Sequence, residues 1–343
     1  MKAIILCAGS STRTYPLTLT RPKPLLKIAN KPLLAYNLEK LEGFIDEAIL
    51  VVGYKKEMIK EHFGNRFNSI KIRYIEQKEQ SGTGNALMQA KDITKGRFFV
   101  LMGDDLYPEN GIKQCKSYRY SVLASKAENP ENFGVYVVEN SFVKNLVEKP
   151  KTFISNLANT GLYVLDEKIF EMLENLKKTE RGEYELTDAV RIFAENFPVR
   201  CITTKEWIPI GYPWDLLNAD QKIRGKKNSI GKKTIIKGIV INSSIGNNCT
   251  IKGIVKNSLI MDNAIIDEDS VVEDSIIGEN VYFNGIIKSG ENLTKEINGK
   301  QILIKKFGAA IGDNVNAGNI QILPGTLICP GKELRNAALT GDR

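Results

Sequence analysis

Short apolar runs alternate with helically spaced apolar positions along the first two thirds of the chain. Residues 3–7 and 48–52 are uninterrupted hydrophobic stretches, as in strands covered on both faces, and residues 70–75 and 97–102 read as two more strands. Between them Leu34, Leu38 and Leu41 keep helical spacing, Met58, Ile59, His62 and Phe63 share one face of a second predicted helix, and residues 85–91 form a third. Further on, Leu186, Ala189, Val190, Phe193, Ala194 and Phe197 trace an amphipathic helix. Strands that alternate with helices predict βαβ units, here an α/β domain with a doubly wound, Rossmann-like parallel sheet. Ligands of such sheets bind beyond the carboxyl ends of the strands.

After residue 225 the pattern becomes a series of hexads. An aliphatic residue opens each and a small or β-branched one takes the fifth place, as in Ile230 and Thr234, Ile236 and Val240, Ile245 and Cys249, Ile251 and Val255, Ile260 and Ala264, Ile277 and Val281, Ile311 and Val315. The intervals are mostly six residues, with some of nine. Such repeats predict a parallel β-helix whose coils stack an aliphatic core, and a β-sandwich with a chance period accounts for them less well. Asn298-Gly299, within residues 295–303, predicts a hairpin that projects from the solenoid. Composition shifts at the same place: of 27 aromatic residues only Tyr282, Phe283 and Phe307 lie beyond it, together with half of the 28 glycines. The basic, turn-rich stretch Arg224-Gly225-Lys226-Lys227-Asn228 is therefore the expected junction, giving domains 1–225 and 226–343.

A length of 343 residues gives each domain room for its own core, and 42% hydrophobic with 26% charged residues excludes wholesale disorder. No apolar run reaches the roughly 18 residues of a membrane span. The apolar start is too short for a signal h-region and turns into a polar loop. Cys7, Cys115, Cys201, Cys249 and Cys329 are odd in number and scattered, which argues against a disulfide framework and a zinc site and fits a reducing cytoplasm. The net charge of +8 splits into 33 basic and 28 acidic groups before residue 226 and 15 and 12 after it. With no basic block and no interleaving of aromatic and basic residues, nucleic acid is a poor partner and phosphorylated small molecules a better one.

Candidate chemistry gathers behind the first predicted strand. Ala8-Gly9-Ser10-Ser11-Thr12-Arg13 is a run of small residues closed by a cation. Small residues let backbone N–H groups approach phosphate oxygens, and a guanidinium adds a planar, permanently charged fork. In Arg21-Pro22-Lys23-Pro24-Leu25 a lysine stands between two prolines that restrict its backbone, which suits an aimed point charge. Taken singly, each piece reads equally well as a turn and a solvated lysine. Neither the dinucleotide-binding glycine pattern nor the Walker lysine pattern is present.

In this order the pieces resemble the sugar-1-phosphate nucleotidylyltransferases. That family opens with A-G-x-G-T-R, P-L-T, P-K-P-L and K-P; here these read Ala8 to Arg13, Pro16-Leu17-Thr18, Pro22 to Leu25 and Lys31-Pro32. Ser11 stands where glycine is commonest. The resemblance covers nearly the whole chain, because members with a C-terminal left-handed β-helix are known. It implies that Ala8, Gly9, Ser10, Ser11, Thr12, Gln77, Gln80, Gly82 and Thr83 bind the nucleotide, the last four lying in a stretch like Q-x-E-Q-x-G-T-G that holds a pyrimidine base. A glutamine amide offers both donor and acceptor to a uracil-like edge. It further implies that Asp104, in Met102-Gly103-Asp104-Asp105, binds catalytic Mg²⁺, and that Gly134, Glu148, Lys149, Asn159 and Glu183 hold the sugar phosphate. Arg13, Lys23 and Asp104 are the expected catalytic residues. Trp207-Ile208-Pro209-Ile210-Gly211 resembles the family's W-x-D-x-G segment, with Pro209 in place of the aspartate that supplies a second metal ligand. Trp207, Trp214 and His62 read as packing residues.

The expected reaction joins UTP or dTTP to glucose-1-phosphate or N-acetylglucosamine-1-phosphate in a homo-oligomer assembled through the β-helix. Two alternatives stay open. An acetyltransferase β-helix is one, although residues 226–343 contain no histidine to act as base; a non-catalytic regulatory subunit is the other, with Pro209 as its support.

Overall fold

Ten strands form the sheet of the first of two units in this computed structural model, which describes residues 1–336, 338, 339 and 342. That unit comprises residues 1–9 and 34–209; the second comprises residues 10–33 and 210–343. The chain crosses between them three times.

In the first unit the chain runs through β1 (Lys2–Cys7), α1 (Leu33–Leu41), β2 (Glu47–Val52), α2 (Lys56–Phe63), β3 (Ile70–Glu76), α3 (Thr83–Met88) and β4 (Phe98–Met102). It continues through α4 (Glu109–Lys116), β5 (Ser121–Lys126), β6 (Gly134–Glu139), β7 (Phe142–Glu148), β8 (Leu157–Leu165), α5 (Ile169–Glu174), α6 (Leu186–Asn196) and β9 (Arg200–Thr204). After a two-residue edge strand the sheet order is β3-β2-β1-β4-β8-β5-β9-β7-β6. The first four run parallel, with Leu6 opposite both Val51 and Met102. This is the doubly wound part, and its inner strands β1, β2 and β4 are apolar along nearly their whole length because both faces are covered: Ile4, Ile5, Leu50 and Val51 are fully buried. Nearer the edge, β3 alternates, with Ile70 and Ile72 buried and Lys71 and Arg73 exposed. The rest is mixed, since β8 is antiparallel to β4 and β5 while β9 is parallel to β5. The helix α6 lays Ala189, Val190 and Phe193 on this half of the sheet. One expectation fails: α2 buries Ile59 and Phe63, but Met58 is 38% exposed and His62 faces outward, edge-on to the Phe63 ring. A helix of eight residues has room for one pair spaced four apart on its buried face, not for four residues.

The second unit is built on the solenoid. Short strands such as Ser229–Ile230, Ser244–Ile245, Leu259–Ile260 and Ile276–Ile277 stack in parallel, and two further columns begin at Ile235–Ile236 and Ile239–Ile241. Ile245, Ile251, Val255, Ile260, Ile266 and Ile277 point inward and form one continuous core. The alternation of six- and nine-residue intervals is thereby explained: the six-residue interval, as from Ile245 to Ile251, spans the longest corner, and the nine-residue interval, as from Ile251 to Ile260, spans two shorter sides that meet at the inward Val255. At that corner Asn248, Asn263, Asn280 and Asn314 adopt φ of 55–60°, a left-handed conformation that asparagine tolerates, and their amides bond from coil to coil at 3.0–3.2 Å. A helix, α7 (Pro213–Arg224), precedes the first coil. The predicted hairpin consists of Gly290–Ile297 and Lys300–Phe307 around Asn298-Gly299. Its base is seated by Phe307, which is fully buried and meets the Trp214 ring at 5.8 Å.

Candidate functional site

Within the first unit the polar groups collect at the carboxyl ends of β1 and β4. The Gly103 N–H donates to the Leu6 carbonyl at 2.9 Å, and a Cβ at Gly103 would lie 2.3 Å from Cys7 Sγ. Only glycine lets β4 turn so close to β1, and the turn delivers Asp104 beside the start of the small-residue loop. Burial, and then the Asp104 charge, push the Cys7 thiol well above its ordinary pKa, so Cys7 is a packing group there. The Asp105 carbonyl accepts from Asn37 Nδ2 at 2.7 Å, which ties the neighbouring residue to α1.

Two loops flank that point. The Gln77 side chain is buried, and its amide donates to the Gly82 carbonyl at 3.0 Å and to Asn85 Oδ1 at 2.9 Å. Both of its N–H groups are thus engaged in shaping the loop. Gln80 donates to the Ala8 carbonyl at 3.1 Å. Gly82 has φ +99°, and a Cβ there would sit 2.6 Å from the Tyr184 carbonyl oxygen, so position and backbone both demand glycine. Thr83 Oγ1 accepts from the Leu186 N–H, and Gly84 N–H donates to Tyr184, which pins this loop to residues 182–186.

Residues expected to bind the sugar phosphate also lie in this unit. Asn159 Oδ1 accepts from the Tyr136 hydroxyl and the Gly161 N–H, while its amide donates to Tyr163. Glu148 Oε2 lies 3.0 Å from where a Gly134 Cβ would be, and Lys149 pairs with Glu148 at 3.2 Å. Tyr107 links the two groups of residues, donating to the Thr160 carbonyl and accepting from Met102 N–H. Glu185, which the sequence reading did not single out, lies among them beside Arg181 at 2.5 Å; burial and the Glu148 carboxylate raise its pKa to about 7. An acid whose folded pKa lies above its unfolded value gives its full contribution below the unfolded value, and that contribution is lost as pH rises from about 4.5 to the folded value of about 7. We therefore expect this group to lower the melting temperature between about pH 5 and pH 7 and to add no further slope above that, and the Glu185→Gln variant to fall less over the same range. Parallel melting curves for the two proteins across this range would count against the assignment.

The second unit holds the rest of the expected phosphate residues. Ser11 takes φ 53° and ψ 50°, the backbone conformation that glycine favours, so the departure at this position keeps the loop. Its carbonyl accepts from the Thr14 N–H and from Thr18 Oγ1. Lys23 is 3% exposed and its ammonium donates to the Ile210 carbonyl. Arg13 is exposed, with its guanidinium 5.7 Å from the centre of the Tyr212 ring. Asp215 accepts from the Gly211 and Tyr212 N–H groups at 2.9 Å; burial raises its pKa, against the pull of those bonds and of Lys23 and Arg13. Residues 210–215 thus support both cations, and Asp215 is committed to the start of α7.

The donor set fits one hard cation. Asp104 offers carboxylate oxygens, and the bridge between Leu106 and Ile208 sets Pro209, which has no side-chain oxygen, opposite Asp105. Among the described residues no group of three His, Cys, Asp or Glu could hold an ion by itself. A single carboxylate suits a magnesium-like ion that keeps its remaining positions for phosphate and water.

A nucleotide-type α/β sheet, a small-residue loop behind its first strand, an acid at the end of a neighbouring strand and a β-helix define the class: a group transferase acting on phosphorylated substrates. Comparison with known proteins makes this specific. The nucleotidyl transferase family model matches residues 2–226, and the chain belongs to that family. The bifunctional protein GlmU of Methanococcus vannielii is 40% identical, with 96% of this chain and 92% of that protein covered. The bifunctional sugar-1-phosphate nucleotidylyltransferase/acetyltransferase of Sulfurisphaera tokodaii is 33% identical, with 96% and 94% covered. A UDP-glucose pyrophosphorylase solved with UDP-glucose is 26% identical with a TM-score of 0.60, over 65% of this chain and 98% of that one. The chain's reaction is that of the sugar-1-phosphate nucleotidylyltransferases: a nucleoside triphosphate and a sugar-1-phosphate give a nucleoside-diphosphate sugar and pyrophosphate. Divalent-metal use goes with the family. No helix among the described residues is long and apolar enough to cross a membrane.

Proposed function

We propose that the triphosphate is UTP or dTTP and the acceptor glucose-1-phosphate or N-acetylglucosamine-1-phosphate. The observation that carries the site assignment is Lys23, a buried cation that donates to the Ile210 carbonyl and is flanked by prolines. The acceptor's phosphate oxygen attacks the α-phosphorus in line, and pyrophosphate leaves; positioning and charge neutralisation do the work, with no protein nucleophile. Lys23 stabilises charge developing on the α-phosphate, and Arg13 binds the departing pyrophosphate. Asp104 would hold Mg²⁺, which neutralises phosphate charge when bound. Gln80 and the Gly82 backbone read the base, with Gln77 shaping their loop. Lys149 takes the sugar's phosphate, while Gly134, Glu148, Asn159 and Glu183 meet its hydroxyls or a 2-substituent. Residues 1–225 supply these groups and residues 226–343 the β-helix.

Pyrophosphate release over a grid of four triphosphates and several sugar phosphates tests this reading. UTP or dTTP should exceed ATP and GTP, and Gln80→Ala should erode the preference before it abolishes turnover. A preference for GTP with mannose-1-phosphate would refute the base and sugar assignments.

The relatives favour a second activity over the single one expected from sequence. Both whole-length relatives above are named as bifunctional. Against this, the alignment with the Methanococcus protein runs over 386 positions, more than this chain possesses, so several dozen of that relative's positions have no counterpart here. The only histidine is His62, far from the β-helix in sequence. Thiol release from acetyl-CoA with amino-sugar phosphates decides between the readings: sustained release establishes the bifunctional enzyme, and none at saturating substrate leaves nucleotidyl transfer alone.

Assembly through the β-helix is supported by its first coil. Ile230 and Ile236 are 42% and 41% exposed there, whereas Ile245 and Ile251, one coil on, are fully buried. Light scattering should return a homo-oligomer; a strict monomer would contradict this.

A further inference from the structure

We propose that the β-helix is a working part of nucleotidyl transfer, because an acidic column at the long corner of its coils positions the Lys23 loop through Arg21. The inference rests on the nucleotidyl-transfer reading and adds a positioning residue and its partners to it.

The column lies within the second unit. In each coil the residue two places after the corner isoleucine precedes the left-handed asparagine: Asn247, Asp262, Glu279 and Asp313. The isoleucines pair in register, Ile245 with Ile260, Ile260 with Ile277, and Ile277 with Ile311, so these side chains rise one above another. Residues 20–30 run down the column coil by coil. Thr20 Oγ1 donates to Asp313 at 2.6 Å, Arg21 pairs with both Asp313 and Glu279, Lys27 pairs with Asp262 at 2.5 Å, and Asn30 donates to the Ile245 carbonyl at 3.0 Å. The order along the loop is the reverse of the coil order, which gives the whole segment one register on the solenoid.

Arg21 is the centre of this arrangement. It is 7% exposed, both terminal nitrogens meet carboxylates, and its Nε is buried without a hydrogen-bond partner. Asp313 is itself fixed, since its other oxygen accepts the Glu279 N–H at 2.7 Å. Only Pro22 separates Arg21 from Lys23, and proline's restricted φ makes that link stiff. A displacement of Arg21 is thereby passed to the Lys23 ammonium. The hairpin inserted in the solenoid adds a second hold, where Asn298 donates to Thr12 at 3.3 Å.

The test compares wild type, Arg21→Gln, Asp313→Asn and their double variant in the full-length protein, with Arg21→Lys as the conservative control. Pyrophosphate release is measured below the melting temperature of every variant, with circular dichroism to confirm the fold. Positioning predicts that each single substitution lowers kcat about tenfold or more while KM for both substrates stays within about twofold, since a small misplacement of a reacting group costs rate. Because both act through one link, the double variant should be no slower than the worse single, and Arg21→Lys should recover part of the rate. If Asp313→Asn does not fold, Glu279→Gln, whose side chain is more exposed, replaces it in the same comparison. Variants that melt earlier yet match the wild-type kcat would overturn the proposal and leave Arg21 a stabilising contact. A wild type inactive on every substrate pair would instead overturn the nucleotidyl-transfer reading.

Discussion

Lys23→Ala should lower kcat by at least a hundredfold, with KM for the sugar phosphate little changed. An ammonium aimed at charge that grows on the α-phosphate acts chiefly in the transition state, and removing one such group costs about 3 kcal/mol or more. The substitution also leaves the Ile210 carbonyl without this donor in a buried place, a loss of about 1–3 kcal/mol that a chain of this size should survive. Lys23→Arg should not restore the rate, because a wider, planar guanidinium cannot occupy the site of a compact ammonium between two prolines. Steady-state pyrophosphate release with a thermal melt separates the two effects. Folded Lys23→Ala with wild-type turnover would show that another cation serves the α-phosphate.

Asp104→Asn should be nearly as damaging, and its signature should be in the metal dependence. The substitution keeps size but replaces one acceptor oxygen by an amide donor and removes the charge that a hard cation requires. We expect a loss of at least a hundredfold in turnover at fixed Mg²⁺ and a requirement for much higher Mg²⁺. Asp105→Asn should change either quantity only a few-fold, since the contact that ties Asp105 to α1 is made by its backbone carbonyl. Metal titrations of the two variants check this. Greater loss from Asp105→Asn would exchange the two roles. Pro209 sharpens the prediction: it sets no side-chain oxygen opposite Asp105, so an ion at Asp104 would depend on that carboxylate.

Much of this molecule is legible in its sequence. The β1, β2 and β4 strands stand out as apolar runs because a strand covered on both faces must be apolar at every position. The solenoid stands out because each coil repeats the same inward contacts, so its core positions recur by rule. Ser10, Ser11 and Thr12, with Arg13 and Lys23, stand out as candidates because close approach to phosphate admits few residue types. His62 misled, since residue type and helical spacing together do not say how wide a short helix's buried face is. Glu185 was missed for a related reason: its shifted pKa comes from burial beside Glu148, a neighbour 37 positions away in the chain, and nothing at position 185 announces it. The acidic column left a trace, in that Asp262, Glu279 and Asp313 each precede an asparagine after a corner isoleucine, but what they face cannot be inferred from that trace.

By itself the sequence determined the two kinds of architecture and the order of the segments that resemble the nucleotidylyltransferases, because each of these depends on local period or on residue chemistry. Tertiary structure alone decided which segments keep company. Residues 10–33 lie early in the chain, yet they share a unit with residues 210–343, and Arg21 finds its carboxylates 258 and 292 positions away. No local rule encodes such a pairing. It follows from burial of a guanidinium, which can leave water only where two fixed carboxylates meet it, and from a solenoid that stacks those carboxylates in a column.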